Sequence, residues 1–180
     1  MIDANEEIVR RWLELRGYLV RTNVPYRYAT TQGAGWSDVD LCGLNPQTDD
    51  AVAVEVKGWH TESITPGYLH ASAPGRRDYR SSLFNFTRPE ASAAIAEVFS
   101  RQDFRRILVV SRIGPRGREE VLSHARERGV EMIEFHAVLE ELIDGTPTDR
   151  SANSDLEHAI RVLKIYGFIG DGAEAAGGRS

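Results

Sequence analysis

An α/β fold with a mixed central sheet flanked by helices is the class this sequence predicts, and three observations predict it. Two short stretches, WSDVDLCGL and AVAVEVKGW, alternate with period two across the turn NPQTDD, the pattern of an antiparallel hairpin. An aliphatic strand over 106–111, a helix over 117–128 ending at Gly129, and a strand over 130–135 form a strand–helix–strand unit, which predicts a parallel pair joined by a crossover. Upstream of the hairpin, Ile8, Trp12 and Leu15 recur at i, i+4 and i+7, a helical stripe facing a core.

Taken in order, Asp3 or Asn5 caps the first helix, and Asp3, Glu6 and Glu7 place negative charge near its positive end. Gly17 ends it. YLVRTNVPYRY reads as a strand with a candidate break at Pro25, and ATTQGAG as a loop. In the first hairpin strand Trp36, Asp38, Asp40 and Cys42 share one face, with Val39 and Leu41 on the other. In the second, Val52, Val54 and Val56 face one side, and Ala53, Glu55 and Lys57 the other. Residues 59–82 show no clean period, and a stretch of that length is usually functional or mobile. PEASAAIAEVFSR (89–101) reads as a helix with Pro in its first turn. A short helix over 137–143 follows the crossover unit, and the last helix carries Leu156, Ala159, Ile160 and Leu163 on one stripe. The expected organisation is an α/β domain over 1–145 and a linker over 146–153. After it come a helix over 154–169 that packs on the domain or a partner, and a disordered tail over 170–180.

Composition narrows the function classes. With 41% hydrophobic and 27% charged residues in 180, the chain is neither disordered nor membrane-spanning in character. Its longest aliphatic run, Ile107–Val110, is far too short for a bilayer. The acidic opening MIDANEE has no signal-peptide character, and a single cysteine, Cys42, closes no internal disulfide, so a reducing cytoplasm is the expected location. Of 22 basic residues only two, Lys57 and Lys164, are lysine. The net charge of −5 is unevenly spread: residues 76–118 carry ten Arg against four acids, a local balance of +6. An anionic partner therefore fits the middle of the chain.

The hairpin concentrates the chemistry. Asp40 on one strand and Glu55 and Lys57 on the next converge at one end of a sheet if the strands pair through NPQTDD. Two carboxylates suit a hard divalent cation such as Mg²⁺, which polarises a phosphoryl oxygen and activates its water. A lysine beside it orients or helps deprotonate that water, work for which a guanidinium is unsuited. In a chain that writes Arg almost everywhere, a Lys two residues after a strand Glu stands out, although E-V-K also reads as an ordinary half-exposed strand.

The order helix, strand, Asp-bearing strand, E-x-K strand, helix, strand over roughly residues 3–112 resembles the PD-(D/E)xK, or restriction-endonuclease-like, nuclease superfamily. EEIVRRWLELRGYLV is similar to the first helix and strand of Holliday-junction resolvases and related restriction nucleases. The resemblance implies a restriction-endonuclease-like αβββαβ core with a C-terminal βα extension and Mg²⁺-dependent hydrolysis of DNA, with Mn²⁺ able to substitute. It implies Asp40 and Glu55 as ligands, the Val56 carbonyl as a further one, and Lys57 as the residue assisting water. It also implies a helix glutamate near the metal, Glu6 by spacing from Gly17, with Glu7 as the alternative; Asp38 is the alternative to Asp40. Val39 stands where the family's nominal Pro precedes the aspartate.

Arg76, Arg77 and Arg80, with Tyr79 among them, are the candidate nucleic-acid contacts: guanidinium groups grip phosphates, and Tyr68 or Tyr79 can stack on a base. Arg101, Arg105, Arg106, Arg112, Arg116 and Arg118 are candidates to continue the patch. His60 reads as an exposed loop histidine, with contact to the scissile phosphate or its water as the alternative, Trp36 and Trp59 as walls of the site or packing residues, and Lys164 as an exposed residue without a role. Ser37 lacks triad partners, the remaining histidines lack zinc spacing, and no dinucleotide or phosphate-loop motif supports a nucleotide enzyme. A second class of reading is a nuclease-fold module that binds nucleic acid or a partner without cutting, within a larger complex. Its signature, a missing motif residue, is not seen. Cutting both strands of a duplex would call for a homodimer or a partner subunit.

Overall fold

Asp3 starts the first helix in the computed structural model, which describes residues 3–30, 33–58, 60, 63–69, 83–149 and 154–169. Its carboxylate accepts from the Asn5 and Glu6 N–H groups at 2.8 and 2.9 Å, and its own N–H donates back to Glu6 Oε2 at 3.3 Å. This is a complete capping box for α1 (Ala4–Leu15). At the other end Gly17 (φ 86) lets Tyr18 N–H reach Leu13 O and Gly17 N–H reach Glu14 O, a Schellman closure.

The strands follow as β1 (Leu19–Thr30), β2 (Gly33–Asn45) and β3 (Asp50–Lys57), then helix α2 (Pro89–Phe99) and β4 (Arg105–Val110). Helix α3 (Arg118–Glu127), β5 (Val130–Glu134), α4 (Phe135–Gly145) and α5 (Asp155–Ile165) complete the order, with short 3₁₀ turns at Pro66–Tyr68 and Asn85–Thr87. The sheet runs β1-β2-β3-β4-β5, antiparallel among the first three strands and parallel among the last three. This is the mixed, helix-flanked sheet and the αβββαβ order that the sequence predicts. Among the described residues no helix is long and apolar enough to cross a membrane.

Alternation along β3 divides the core. Val52, Val54 and Val56 join Val9, Trp12 and Leu13 of α1 and Phe135 and Val138 of α4 on one face. Ala53 and Cys42 join Ala91 and Ile95 of α2 and Val121 and Ala125 of α3 on the other. Three layers result, and β3, covered on both faces, is buried from Ala51 to Val56.

Two expectations are corrected in the first hairpin. Pro25 does not break β1: the strand lies at the sheet's edge, the place where a sheet tolerates proline, and Pro25 keeps register with Asp38. ATTQGAG is not wholly a loop, because the β1–β2 ladder continues to the pair Thr30–Gly33. At the opposite end of the sheet, Tyr18 Oη donates to Asp50 Oδ2 at 2.5 Å, and Arg105 grips the same carboxylate at 2.6 Å. The Asn45 side chain accepts from the Gln47 and Thr48 N–H groups and so shapes the hairpin turn.

Lys164, expected to be exposed without a role, is half-buried and ties α5 to α4. Its Nζ donates to the Ile143 and Thr146 carbonyls at 3.1 and 3.0 Å, capping the α4 terminus. Of the apolar stripe on α5, Ile160 is buried, whereas Ala159 and Leu163 are open to solvent.

Candidate functional site

Asp40 sits where two ladders let go at once. The β2–β3 pairing ends at Leu41–Val54, and the β1–β2 pairing skips from Thr22–Leu41 to Val24–Val39. The skipped β1 residue, Asn23, takes a left-handed conformation (φ 51) that asparagine tolerates better than most residues. Beyond this point β2 pairs with β1 alone. The Asp40 side chain takes over from the lost ladder: its Oδ2 accepts from Val56 N–H at 2.7 Å. Asp40 is buried, and burial raises its carboxyl above the usual range, against the opposing pull of Lys57 and the Val56 N–H.

Glu55 is also buried, 6% exposed. Its Oε1 accepts from Lys57 Nζ at 2.5 Å, while its Oε2 has no hydrogen-bond partner. Burial, with the Asp40 charge added, pushes this carboxyl up to about 8. Burial pulls the Lys57 amine down, but the charges of Glu55, Asp40 and Glu6 outweigh it and leave the amine above its ordinary value. At neutral pH the group therefore holds an extra proton as well as the ammonium.

Glu6 and Glu7 diverge. Glu6 spends one oxygen on its capping box, and its carboxyl is raised by burial and by the charge of Asp40, with Asp38 contributing further. Glu7 turns the other way, onto Arg10 and Arg11, and the Arg10 hydrogen bond holds it below the usual range. Asp38 is exposed, yet its charge is felt at Glu6, Asp40 and Glu55. The structure thus gathers Asp38, Asp40, Glu55, Lys57 and Glu6 into one electrostatic group. Even so, among the described residues no set of three or more His, Cys, Asp or Glu is close enough to hold a metal ion.

Two contributors escaped sequence reasoning. A Cβ on Gly58 would lie 2.3 Å from Asn5 Nδ2 and 3.1 Å from Asn5 Cβ, so the α1 terminus that carries Glu6 comes down directly on this glycine. Asn5 Oδ1 in turn meets His60 Nε2 at 2.8 Å, and the His60 ring stands edge-on to Phe135 at 5.1 Å. The signal was a Gly immediately after E-x-K. Gly58→Ala is expected to displace α1 and cost about 1–3 kcal/mol in urea unfolding, with Asn5→Ala recovering part of the loss; an unchanged midpoint would refute the close approach. The second contributor is Arg27 on β1, whose guanidinium lies 4.9 Å from the Trp36 ring centroid.

Arg76, Arg77, Tyr79 and Arg80 lie outside the described residues, as does Trp59. Several of the other arginines are committed elsewhere: Arg101 to Asp49 and Asp103, Arg105 to Asp50 and Glu131, and Arg118 to Glu134. Arg106 donates to Ser92 Oγ, and Arg112 and Arg116 are exposed. Gly117 (φ 72) makes GPRGREE a strand-to-helix turn.

No protein-family model matches this chain, and no curated protein is significantly similar to it. Among solved structures it is similar to the crystal structure of protein VC1899 from Vibrio cholerae, at 10% identity and a TM-score of 0.41. That alignment covers 78% of this chain but 30% of the other, so the chain spans less than a third of that protein's length. A likeness of this degree supports neither fold nor function.

Proposed function

We propose that this chain is a metal-dependent nuclease that hydrolyses phosphodiester bonds in DNA through Asp40, Glu55 and Lys57. The unpartnered Oε2 of Glu55 carries the reading. A buried carboxylate oxygen without a hydrogen bond is costly, and Glu55 meets that cost by holding a proton up to about pH 8. A divalent cation would replace that proton. Asp40 and Glu55 offer the oxygen donors Mg²⁺ or Mn²⁺ prefers, the Val56 carbonyl is a candidate third, and Mg²⁺ keeps several waters in such sites. When bound, the ion would polarise a phosphoryl oxygen and lower the pKa of its water. Lys57 is protonated as the site stands, so its part is to orient the attacking water and offset charge developing on the phosphate. Glu6, above the group on α1, would hold a further water.

One observation favours a second reading, a module on a nuclease-like fold that binds nucleic acid or a partner without cutting. No three-ligand group stands ready among the described residues, and Lys57 is tied to Glu55. Of the two readings, this one asks for fewer side-chain movements. Purified protein and Asp40→Ala, incubated with plasmid, linear, single-stranded and branched DNA and with RNA in Mg²⁺, Mn²⁺ or EDTA, separate them. Hydrolysis requires cutting that needs the metal and disappears in Asp40→Ala. Binding of every substrate without cutting leaves the second reading, and cutting that survives Asp40→Ala removes this site.

A further inference from the structure

Beyond Asp40, β1 and β2 continue as a two-stranded ribbon from Val24–Val39 to Thr30–Gly33, without β3 alongside. One face of this ribbon is anchored. Val24, Tyr26 and Val39 are buried in the core cluster that includes α2. Tyr28 packs against that cluster, lies beneath Arg88 at 4.7 Å, and fills the space where Gly35 would carry a Cβ. The other side carries the cross-strand pair Arg27–Trp36. Trp36 is 66% exposed, the one large apolar side chain left open among the described residues of the ribbon. Its neighbouring pairs are Ala29–Ala34 and Pro25–Asp38, so no second large side chain stands beside it to form the clustered anchor a protein partner would bury.

We propose that the Arg27–Trp36 pair is a stacking platform for an unpaired nucleotide next to the phosphodiester handled at Asp40 and Glu55; this rests on the nucleic-acid reading above. The anchored ribbon holds the backbone beneath the indole and Arg27 lies 4.9 Å from its ring, so part of the ordering is in place before a base settles on it. The guanidinium adds a cation for the adjoining phosphate, and a flat ring serves any base. Asp38, two residues beyond Trp36, places its charge on Glu6, Asp40 and Glu55, and Asp40 follows two residues later on the same strand, so the platform leads along β2 to the site. Its negative charge repels a phosphate, which leaves Arg27 as the phosphate contact on the ribbon. Bases inside a duplex already stack on one another and present no free face, so the platform selects single strands, tails or branch points.

Fluorescence anisotropy with labelled single-stranded, tailed and blunt duplex DNA, in EDTA and in Ca²⁺, tests this with the full chain. Wild type should bind the single-stranded and tailed forms more tightly than the blunt duplex. Trp36→Ala should weaken binding of the unpaired forms about tenfold and leave the blunt duplex unchanged, with Trp36→Phe restoring most of the loss. Equal effects on all forms, or none, overturn the platform even if cleavage is intact. A Trp36 effect in a protein that cuts nothing keeps the platform and removes the nuclease. Binding to no oligonucleotide overturns both.

Discussion

Lys57→Ala should lower metal-dependent DNA cleavage by a factor of about 10² to 10⁴ while changing DNA affinity by only a few-fold. The ammonium contributes most where charge builds up in the transition state, so the loss falls on kcat rather than on binding. Lys57→Arg should not restore the rate: a guanidinium is larger, planar and presents its N–H groups in different directions from a compact ammonium. The metal requirement should also depend on pH in a definite direction. Glu55 binds a proton up to about pH 8, and the cation needs the carboxylate, so cation and proton compete. The Mg²⁺ concentration giving half-maximal cleavage should fall as pH rises toward 8 and level off above it. Single-turnover cleavage over a pH series at several Mg²⁺ concentrations measures both effects. Lys57→Ala activity within about threefold of wild type would rule out the proposed role.

The largest expected loss of stability is at Trp12. Its ring is 2% exposed, packed with Val9, Leu13 and α4, and its Nε1–H donates to Glu141 Oε2 at 2.8 Å. Arg16 covers the ring at 4.8 Å and reaches the same carboxylate at 3.2 Å. Trp12→Ala should cost about 3–5 kcal/mol in urea unfolding, and Trp12→Phe, which keeps ring burial but loses the N–H, distinctly less. Because α1 also carries Asn5 and Glu6, Trp12→Ala should reduce site function even in the fraction that remains folded. A cost below about 1 kcal/mol would mean that α1 is not held by this contact.

Local features of this chain were legible in its sequence, and features set by distant strands were not. Alternation and helical spacing are local, so the αβββαβ order and the partition of Val52, Val54 and Val56 from Ala53, Glu55 and Lys57 were legible. The burial of Glu55 was not. E-V-K looks half-exposed because its parallel neighbour β4 arrives from far along the chain, across a segment with no period. The continuation of β1 past Pro25 was equally hidden, since edge position is decided by which strands assemble beside it. The closeness of Asp40, Glu55 and Lys57 could be anticipated from hairpin register. That Asp40 would stand one residue past the last rung of that hairpin, with its carboxylate taking the next N–H, depends on where β2 and β3 part, and no residue spacing encodes that. Both lysines of this arginine-rich chain proved engaged, Lys57 with Glu55 and Lys164 with the end of α4. Only the first was readable, because α5 meets α4 through backbone carbonyls.

The outer edge of β1 has a consequence for solubility. A strand of this length at a sheet margin offers a row of unpaired backbone groups on which a second chain could polymerise, and its overhanging end has no third strand to shield it. Pro25 removes one donor from that row, and Asn23, turned into the left-handed region, bends the row out of line. The left-handed Asn23 that interrupts the ladder opposite Asp40 thus also makes β1 a poorer template for cross-β growth.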